Sequence, residues 1–525
     1  MKYLFKVLAI TLLTVTALAS CVEEPSVSFN EIEQMSLAAW IDKYRPDLKE
    51  NYQEQGGYYV EILDEGCADS LPIAGKSAWV WYDFTGRDLQ GNVCISRNDA
   101  IAQQQGSYTN YTHYVPYYRF CGEDSYSMIE GTYLALFNEL KIGDKSYKAR
   151  YGTKMRLYLP SSVVASGTGM SGDGGYEGQF SLDGNKPMIV EMTLYGHAAN
   201  PVAYEGNHVD SFANINGGLC TEHRKDTSDD DTSTSSRRRF TRADGDDKEE
   251  EIDPRPLEFF DGRWHQPVDT LAQLYVKYAY SPATDKFDFN AIGADTLMYP
   301  NQNIYNRGKI YGSKSMAAID REINEALVER FGKGIGYDEV LTTDSVTSVA
   351  KANIWYITRL LDGYIVDTNI DEVKRIVYDE VSSEGSALQF DNSDDADNNL
   401  ILAWLYSIPT LRLGQWASIL TVSTYAYGIA GKTGSTSSSS SSSSSSYDWL
   451  NYYNYMNYMN SYYGYSYGGM YNNGYYGYNP YYYGYGYPSY GGDVEDEETT
   501  TVVSTSTEIL PYAPMLFQIY VEPAK

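Results

Sequence analysis

Between Ser28 and Asn51, the apolar residues Ile32, Met35, Leu37, Ala38, Trp40 and Ile41 recur at helical intervals until Pro46 interrupts them. One or two short helices are predicted there. The pattern then shortens. Tyr58-Tyr59-Val60-Glu61-Ile62-Leu63, Ala78 to Phe84, Met155 to Leu159 and Met188 to Leu194 are runs rich in β-branched and aromatic residues, parted by Gly, Asp and Ser. They predict the strands of one domain over 55–197. From Ala198 the periodicity decays, and 198–256 reads as a flexible charged linker. Asp229-Asp230-Asp231, Arg237-Arg238-Arg239 and Asp246 to Glu251 lie there among Ser, Thr and Pro, so the triple arginine is expected to be solvated rather than an anion site. A helical extension over 257–340 follows, in which Met316, Ile319, Ile323, Leu327, Val328 and Phe331 form a stripe ending before Gly332. Strands resume at Ala352 to Leu361, opening a last domain over 341–525.

That last domain is interrupted by a biased insertion over 433–498. It holds the unbroken serine run Ser437 to Ser446, Tyr/Gly/Asn repeats as far as Gly492, and the acids Asp493 to Glu498. Such a segment lacks aliphatic residues to bury and is expected to be disordered. Strand-like sequence returns at Thr500 to Val503 and Met515 to Val521, so a final strand must come back to complete the sheet. The 42% hydrophobic fraction is inflated by 53 tyrosines, many of them in this insertion. Lys and Arg number 40 against 70 Asp and Glu, a formal charge of −30, which argues against a nucleic-acid or anionic-lipid surface.

The N-terminus adds an address. Residues 1–20 have a basic start, an apolar run from Val7 to Ala19 too short to span a hydrocarbon core of roughly 30 Å, and then Leu18-Ala19-Ser20-Cys21. This reads as a lipoprotein signal peptide with Cys21 as the lipidated residue. Residues 21–54 follow as a tether and N-terminal helical segment, and the mature chain is expected on the outer membrane through its N-terminal lipid, periplasmic or surface-exposed. Val22-Glu23-Glu24 is similar to the export signal of surface-exposed Bacteroidetes lipoproteins. Four further cysteines, Cys67, Cys94, Cys121 and Cys220, allow three disulfide pairings or none. The five histidines have no ligand spacing, so no metal site is expected. Gly428-Ile429-Ala430-Gly431-Lys432-Thr433 fails as a phosphate loop because residue 426 is alanine. Nothing in the spacing of acids or serines defends a glycosidase pair or a catalytic triad.

Residues 352–431 and 508–521 carry a longer pattern. Ile354-Trp355-Tyr356, Leu361-Asp362-Gly363, Val366-Asp367-Thr368-Asn369, Leu400-Ile401-Leu402-Ala403-Trp404, Leu413-Gly414-Gln415 and Tyr425-Ala426-Tyr427-Gly428 follow in order, with Ile509 to Phe517 after the insertion. This resembles the FKBP-type peptidyl-prolyl cis-trans isomerase domain, a five-stranded antiparallel half-barrel wrapped on one short helix. The resemblance implies that Trp404 is the floor under a proline ring, that Tyr427 donates its hydroxyl to a substrate carbonyl, and that Asp367 is the acid of the pocket. Tyr356, Val366, Phe390, Leu400, Ile401 and Phe517 would form the substrate-binding walls. Val366 departs from the family's usual Phe, and Phe390 matches only roughly. The same template over 78–194 resembles the fold without its pocket. Cys94 and Ile95 stand at the Phe and Asp positions, Thr132 at the Trp, Ser166 at the Tyr and Val190 at the last Phe, while Phe84 keeps an aromatic. The expected fold class is therefore α+β, two FKBP-like half-barrels of which the first is degenerate.

The residue types fit that chemistry independently. A peptide bond rotates over a barrier of about 18–20 kcal/mol, and the isomers of an X-Pro bond differ by only about 0.5–1 kcal/mol. An amide twisted out of resonance loses charge separation, so an apolar pocket with one or two aimed donors favours it over the planar ground state. No nucleophile, metal or cofactor is required. Two functions follow: a cell-envelope isomerase or folding helper acting on proline-containing polypeptides, or a non-catalytic lipoprotein binding partners through its FKBP-like bodies and a tyrosine-rich arm.

Overall fold

The structure is a computed structural model. It describes residues 28–524 apart from 107–112, 123–128, 165–169, 174–178, 183, 221–260, 269, 279, 290–315, 333–342, 379–384, 394–397, 399, 429–430, 433–434, 440–501 and 507–508. The signal peptide, Cys21, the triple arginine, Ser166 and nearly all of the tyrosine-rich insertion lie outside the described residues. No described helix is long and apolar enough to cross a membrane. The chain forms two units, Met1–Ser107 with Val115–Ala199, and Tyr108–Tyr114 with Asn200–Lys525.

In the first unit, helix α1 (Phe29–Tyr44) begins on a capping box in which Ser28 and Glu31 satisfy each other's backbone amides. A 3-10 turn starting at Pro46 follows. The strands are β1 (Tyr52–Gln53), β2 (Tyr58–Asp64), β3 (Ala78–Arg87), β4 (Val93–Ser96), β5 (Tyr117–Cys121), β6 (Leu140–Ile142), β7 (Lys145–Tyr147), β8 (Lys154–Leu159), β9 (Met170–Asp173), β10 (Gln179–Leu182) and β11 (Met188–Ala198), with helices α2 (Asp99–Gln105) and α3 (Glu130–Phe137) between them. The main sheet is antiparallel in the order β1-β2-β8-β11-β3-β4, with β5 also on β3. In β11 every second residue is buried, the signature of one face turned to a core. That inner face closes over α3 in one hydrophobic cluster, while α1 packs Leu37 and Ile41 against Tyr158 on the outer face. Beside α1, a shallow cleft of about 380 Å³ is lined by Trp40, Tyr44, Arg45, Arg87 and Arg156. Its arginines Arg45 and Arg156 already pair with Glu61, Asp47 and Glu191.

The second unit repeats this order. Helix α4 (Pro201–Ile215) is followed by β12 (Leu274–Lys277), α5 (Met316–Phe331), β13 (Lys351–Leu360), β14 (Ile365–Thr368), α6 (Asp371–Tyr378), β15 (Leu388–Asp391), α7 (Leu402–Ser407), β16 (Gln415–Thr421), β17 (Ser435–Ser439), β18 (Val502–Ser506) and β19 (Met515–Pro523). Its main sheet runs β12-β16-β19-β13-β14, with β15 also on β13. Strand for strand this is the first sheet from β2 onward. The turn between β13 and β14 needs Gly363, whose φ of 90° is a left-handed conformation that glycine adopts without strain. On the outer face Phe331 of α5 meets Trp355, Trp416 and Tyr520. Nearby, Asp320 of α5 pairs at 2.7 Å with Arg359 of β13, which also donates to Gln518 and the Gly363 carbonyl.

Three segments differ from the sequence expectation. Pro201–Ile215, assigned to the linker over 198–256, is a helix capped by Asn200 with Pro201 in its first turn. Within the helical extension over 257–340, Leu274–Lys277 is a strand of the second sheet. Ser435–Ser439, inside the insertion 433–498, pairs antiparallel with Val502–Ser506. The first unit has the same hairpin, β9 with β10, closed by residues 174–178, so the tyrosine-rich segment is what joins two paired strands.

Candidate functional site

The site lies on the inner face of the second sheet, where α7 crosses it. Trp404 is in the first turn of α7, its amide donating to the Ile401 carbonyl, and the residue is 6% exposed. The indole stands edge-on to two rings, Tyr356 of β13 at 4.9 Å and Phe517 of β19 at 5.5 Å. Edge-to-face contacts of this kind fix ring orientation as well as burying area. Among the described residues the indole Nε1 has no hydrogen-bond partner, which leaves a donor unspent in a nearly dry place.

Asp367 reaches the same cluster from β14. It is half-buried and accepts a hydrogen bond from the Tyr356 hydroxyl at 3.2 Å. The strand pairing that brings them together is pinned by side chains. Asn369 donates to the Ile354 carbonyl and accepts from the Tyr356 amide, and Thr368 Oγ1 donates to the Tyr356 carbonyl. Thus Tyr356, Asp367, Trp404 and Phe517, singled out in the sequence, share one place.

The other candidates lie around it. Leu400 and Ile401 are half-buried just before α7, and Val366 is fully buried in β14 beside Asp367. Phe390 is buried on β15 opposite Ala352, four residues before Tyr356 on β13. Tyr427 is half-buried in the turn after β16, with the Lys432 ammonium 5.8 Å above its ring. No direct contact joins Phe390 or Tyr427 to Trp404 among the ring contacts of the described residues.

The first unit shows what happens when the polar and aromatic members are replaced. Pairing registers make Gly86 the counterpart of Thr358: Gly86 faces Ile95 and Val190 where Thr358 faces Asp367 and Phe517. Phe84, Ile95 and Val190 are all buried in one apolar cluster, and Thr132 turns its hydroxyl back to the Ile129 carbonyl. At these registers the first unit keeps one ring, Phe84, and carries the aliphatic Ile95 and Val190 where the second unit has Asp367 and Phe517.

One pair of groups was not singled out in the sequence. Glu205 of α4 is fully buried and accepts from the Ser423 amide at 3.0 Å and the Ser423 hydroxyl at 2.8 Å. Burial pushes its pKa up to about 8 against the opposing pull of the two serine bonds. The first unit repeats the arrangement with Glu33 of α1 and Ser161, by amide at 2.6 Å and by hydroxyl. Both serines follow the equivalent strand, β16 or β8, by two residues. Sequence patterning favours apolar stripes, and a lone glutamate on a mixed helix gives no such signal.

Each sheet is antiparallel, carries the same strand order and folds over one short helix, α7 or α3. The fold is FKBP-like. No family model matches the chain, and no curated protein matches it. Among solved structures, it is similar to a peptidyl-prolyl cis-trans isomerase from Pseudomonas syringae, with 20% identity, 32% of this chain and 96% of that chain covered, and a TM-score of 0.21. It is similar also to AtFKBP13, with 15% identity over 28% of this chain and 98% of that one and a TM-score of 0.20. The three FKBP domains of wheat FKBP73 match at 8% identity over 90% of this chain and 95% of that one, with a TM-score of 0.18.

Proposed function

We propose that the chain is a cell-envelope peptidyl-prolyl cis-trans isomerase or folding helper that acts on X-Pro bonds through its second unit. The observation that carries this reading is the FKBP-like cluster of Trp404 held edge-on between Tyr356 and Phe517, with Asp367 on the Tyr356 hydroxyl. A proline ring has no N–H and an apolar body, so an aromatic floor and walls bind it without leaving a polar group unmet. Inside such a pocket the twisted amide, with less charge separation than the planar one, is favoured, and Tyr427 supplies a hydroxyl for the neighbouring carbonyl. The lipobox Leu18-Ala19-Ser20-Cys21 supports attachment to the outer membrane.

The test is an isomerase assay on the full mature chain with an X-Pro tetrapeptide, beside Tyr427→Phe and Asp367→Ala. Turnover that falls at least tenfold in either variant supports the reading. A folded chain with no turnover overturns it and leaves a second reading, a binding lipoprotein on an FKBP-like scaffold. That alternative is favoured by one observation: the tyrosine-rich segment joins β17 to β18, in the hairpin that follows the Tyr427 turn.

A further inference from the structure

We infer that Glu205 is a positioning residue for Tyr427, acting through Ser423, an inference that rests on the isomerase reading above. The chain of contacts is short. Glu205 takes both donors of Ser423, its amide and its hydroxyl, with its two carboxylate oxygens. The Ser423 carbonyl in turn accepts from the Ala426 amide and the Gly428 amide, each at 2.8 Å. Those two amides flank Tyr427, so the carboxylate fixes the residue from which the turn around Tyr427 is hung.

Two further bonds hold the same turn from other sides. The Val422 amide donates to the Gln273 carbonyl, and the Gly428 carbonyl accepts from the Tyr512 amide. Glu205 differs from these two backbone bonds in contributing a group that is both fully buried and ionisable, and it reaches in from a helix outside the sheet. A buried pair with both oxygens engaged restricts the serine far more than an exposed contact does. The counterpart in the first unit, Glu33 on Ser161, marks the clamp as part of the module's architecture. In the second unit the clamped turn carries a tyrosine, and the clamp thereby aims a hydroxyl.

A double-mutant cycle on the full chain tests this. Glu205→Ala is expected to lower kcat/KM about tenfold, and to lower it no further when Tyr427→Phe is already present. Equal losses in both backgrounds would mean general structural support and overturn the proposal. Ser423→Ala should reproduce the Glu205→Ala loss, whereas Glu33→Ala, which breaks the matching clamp, should leave turnover unchanged. If Glu205→Ala does not fold, Glu205→Gln enters the same cycle, since it keeps one acceptor oxygen. Should the unaltered chain show no turnover, the isomerase reading fails on its own. The clamp is then judged by amide hydrogen exchange in Glu205→Ala. Exchange at Ala426 and Gly428 accelerated at least tenfold relative to Ile419 supports it, and uniform rates across the three overturn it.

Discussion

The ring of Trp404 stands nearly perpendicular to that of Phe517, with centroids 5.5 Å apart and an angle of 82° between planes. The edge of one ring thereby meets the face of the other, and the pair keeps an apolar wall at nearly a right angle to an apolar floor. Phe517→Leu retains an apolar group but removes the wall. Its kcat/KM on an X-Pro peptide should fall about tenfold, equal to about 1.4 kcal/mol of transition-state stabilisation, with a Tm lowered by only a few degrees. Val190→Ala, at the equivalent register of the first unit, should leave turnover unchanged.

The outer face of the second sheet contains an ion pair whose partners are not interchangeable. Arg359 and Asp320 have side chains 3% and 13% exposed. Asp320→Ala leaves a buried guanidinium without its carboxylate, and a loss of about 3–5 kcal/mol is expected. Urea unfolding of the full chain checks it, and a loss below about 1 kcal/mol would contradict it. Replacing both residues with apolar ones should cost less than removing Asp320 alone, because no charge is then stranded.

Glu205 also makes a prediction about pH. Below the ordinary glutamate value of 4.5 it is protonated both folded and unfolded; between 4.5 and about 8 the unfolded chain releases the proton while the folded chain keeps it. The folded state then binds more protons, so stability falls as pH rises through that window and the loss is complete above it. In urea titrations from pH 5 to 9 the unaltered chain should lose a few kcal/mol more than Glu205→Gln does. A parallel pH dependence of the two would contradict it. The clamp itself survives the titration, because the acid form donates to the Ser423 hydroxyl that the anion accepts from.

Replacing residues 440–501 by a five-residue turn of the kind that closes β9 and β10 should preserve the fold. The strands on either side are already paired, and closing a hairpin over a longer flexible loop costs at most about 2 kcal/mol more in entropy. Circular dichroism and Tm check this. A drop in Tm would show that the segment packs on the sheet, and a rise in turnover would make it a lid over the site.

Cys21→Ser should abolish incorporation of labelled fatty acid and release the chain from membranes into the soluble fraction. Retention of label would overturn the lipobox reading.

Much of the site was legible because its residues keep the order and spacing of the FKBP pattern they resemble, whereas alternation by itself marked only the strands. Asp367, Tyr356 and Phe517 meet because their strands pair in a register fixed by which residues are buried. The segments that escaped did so for physical reasons. In α4 the buried face includes Glu205, Gly206 and His208, so its apolar stripe is broken. The strand Leu274–Lys277 is too short to show a period, and its three consecutive buried residues, Leu274, Tyr275 and Val276, do not alternate. Ser435–Ser439 has neither alternation nor strand-forming side chains and is held by the backbone of Val502–Ser506.

The place of β19 between β16 and β13 sets the order in which the second sheet can assemble. In the first unit the corresponding strand, β11, joins β8 after 28 intervening residues, from 160 to 187. In the second, β19 reaches β16 only after 93, from 422 to 514. Long-range pairing is slow, since loop closure precedes any contact that rewards it. Until β19 arrives, β16 and β13 both present open edges, and the rings of Tyr356 and Trp404 lack their third partner. The second unit, with 93 residues rather than 28 to close before its last strand pairs, is therefore expected to be the slower of the two to mature, and the one more exposed to mispairing while it waits.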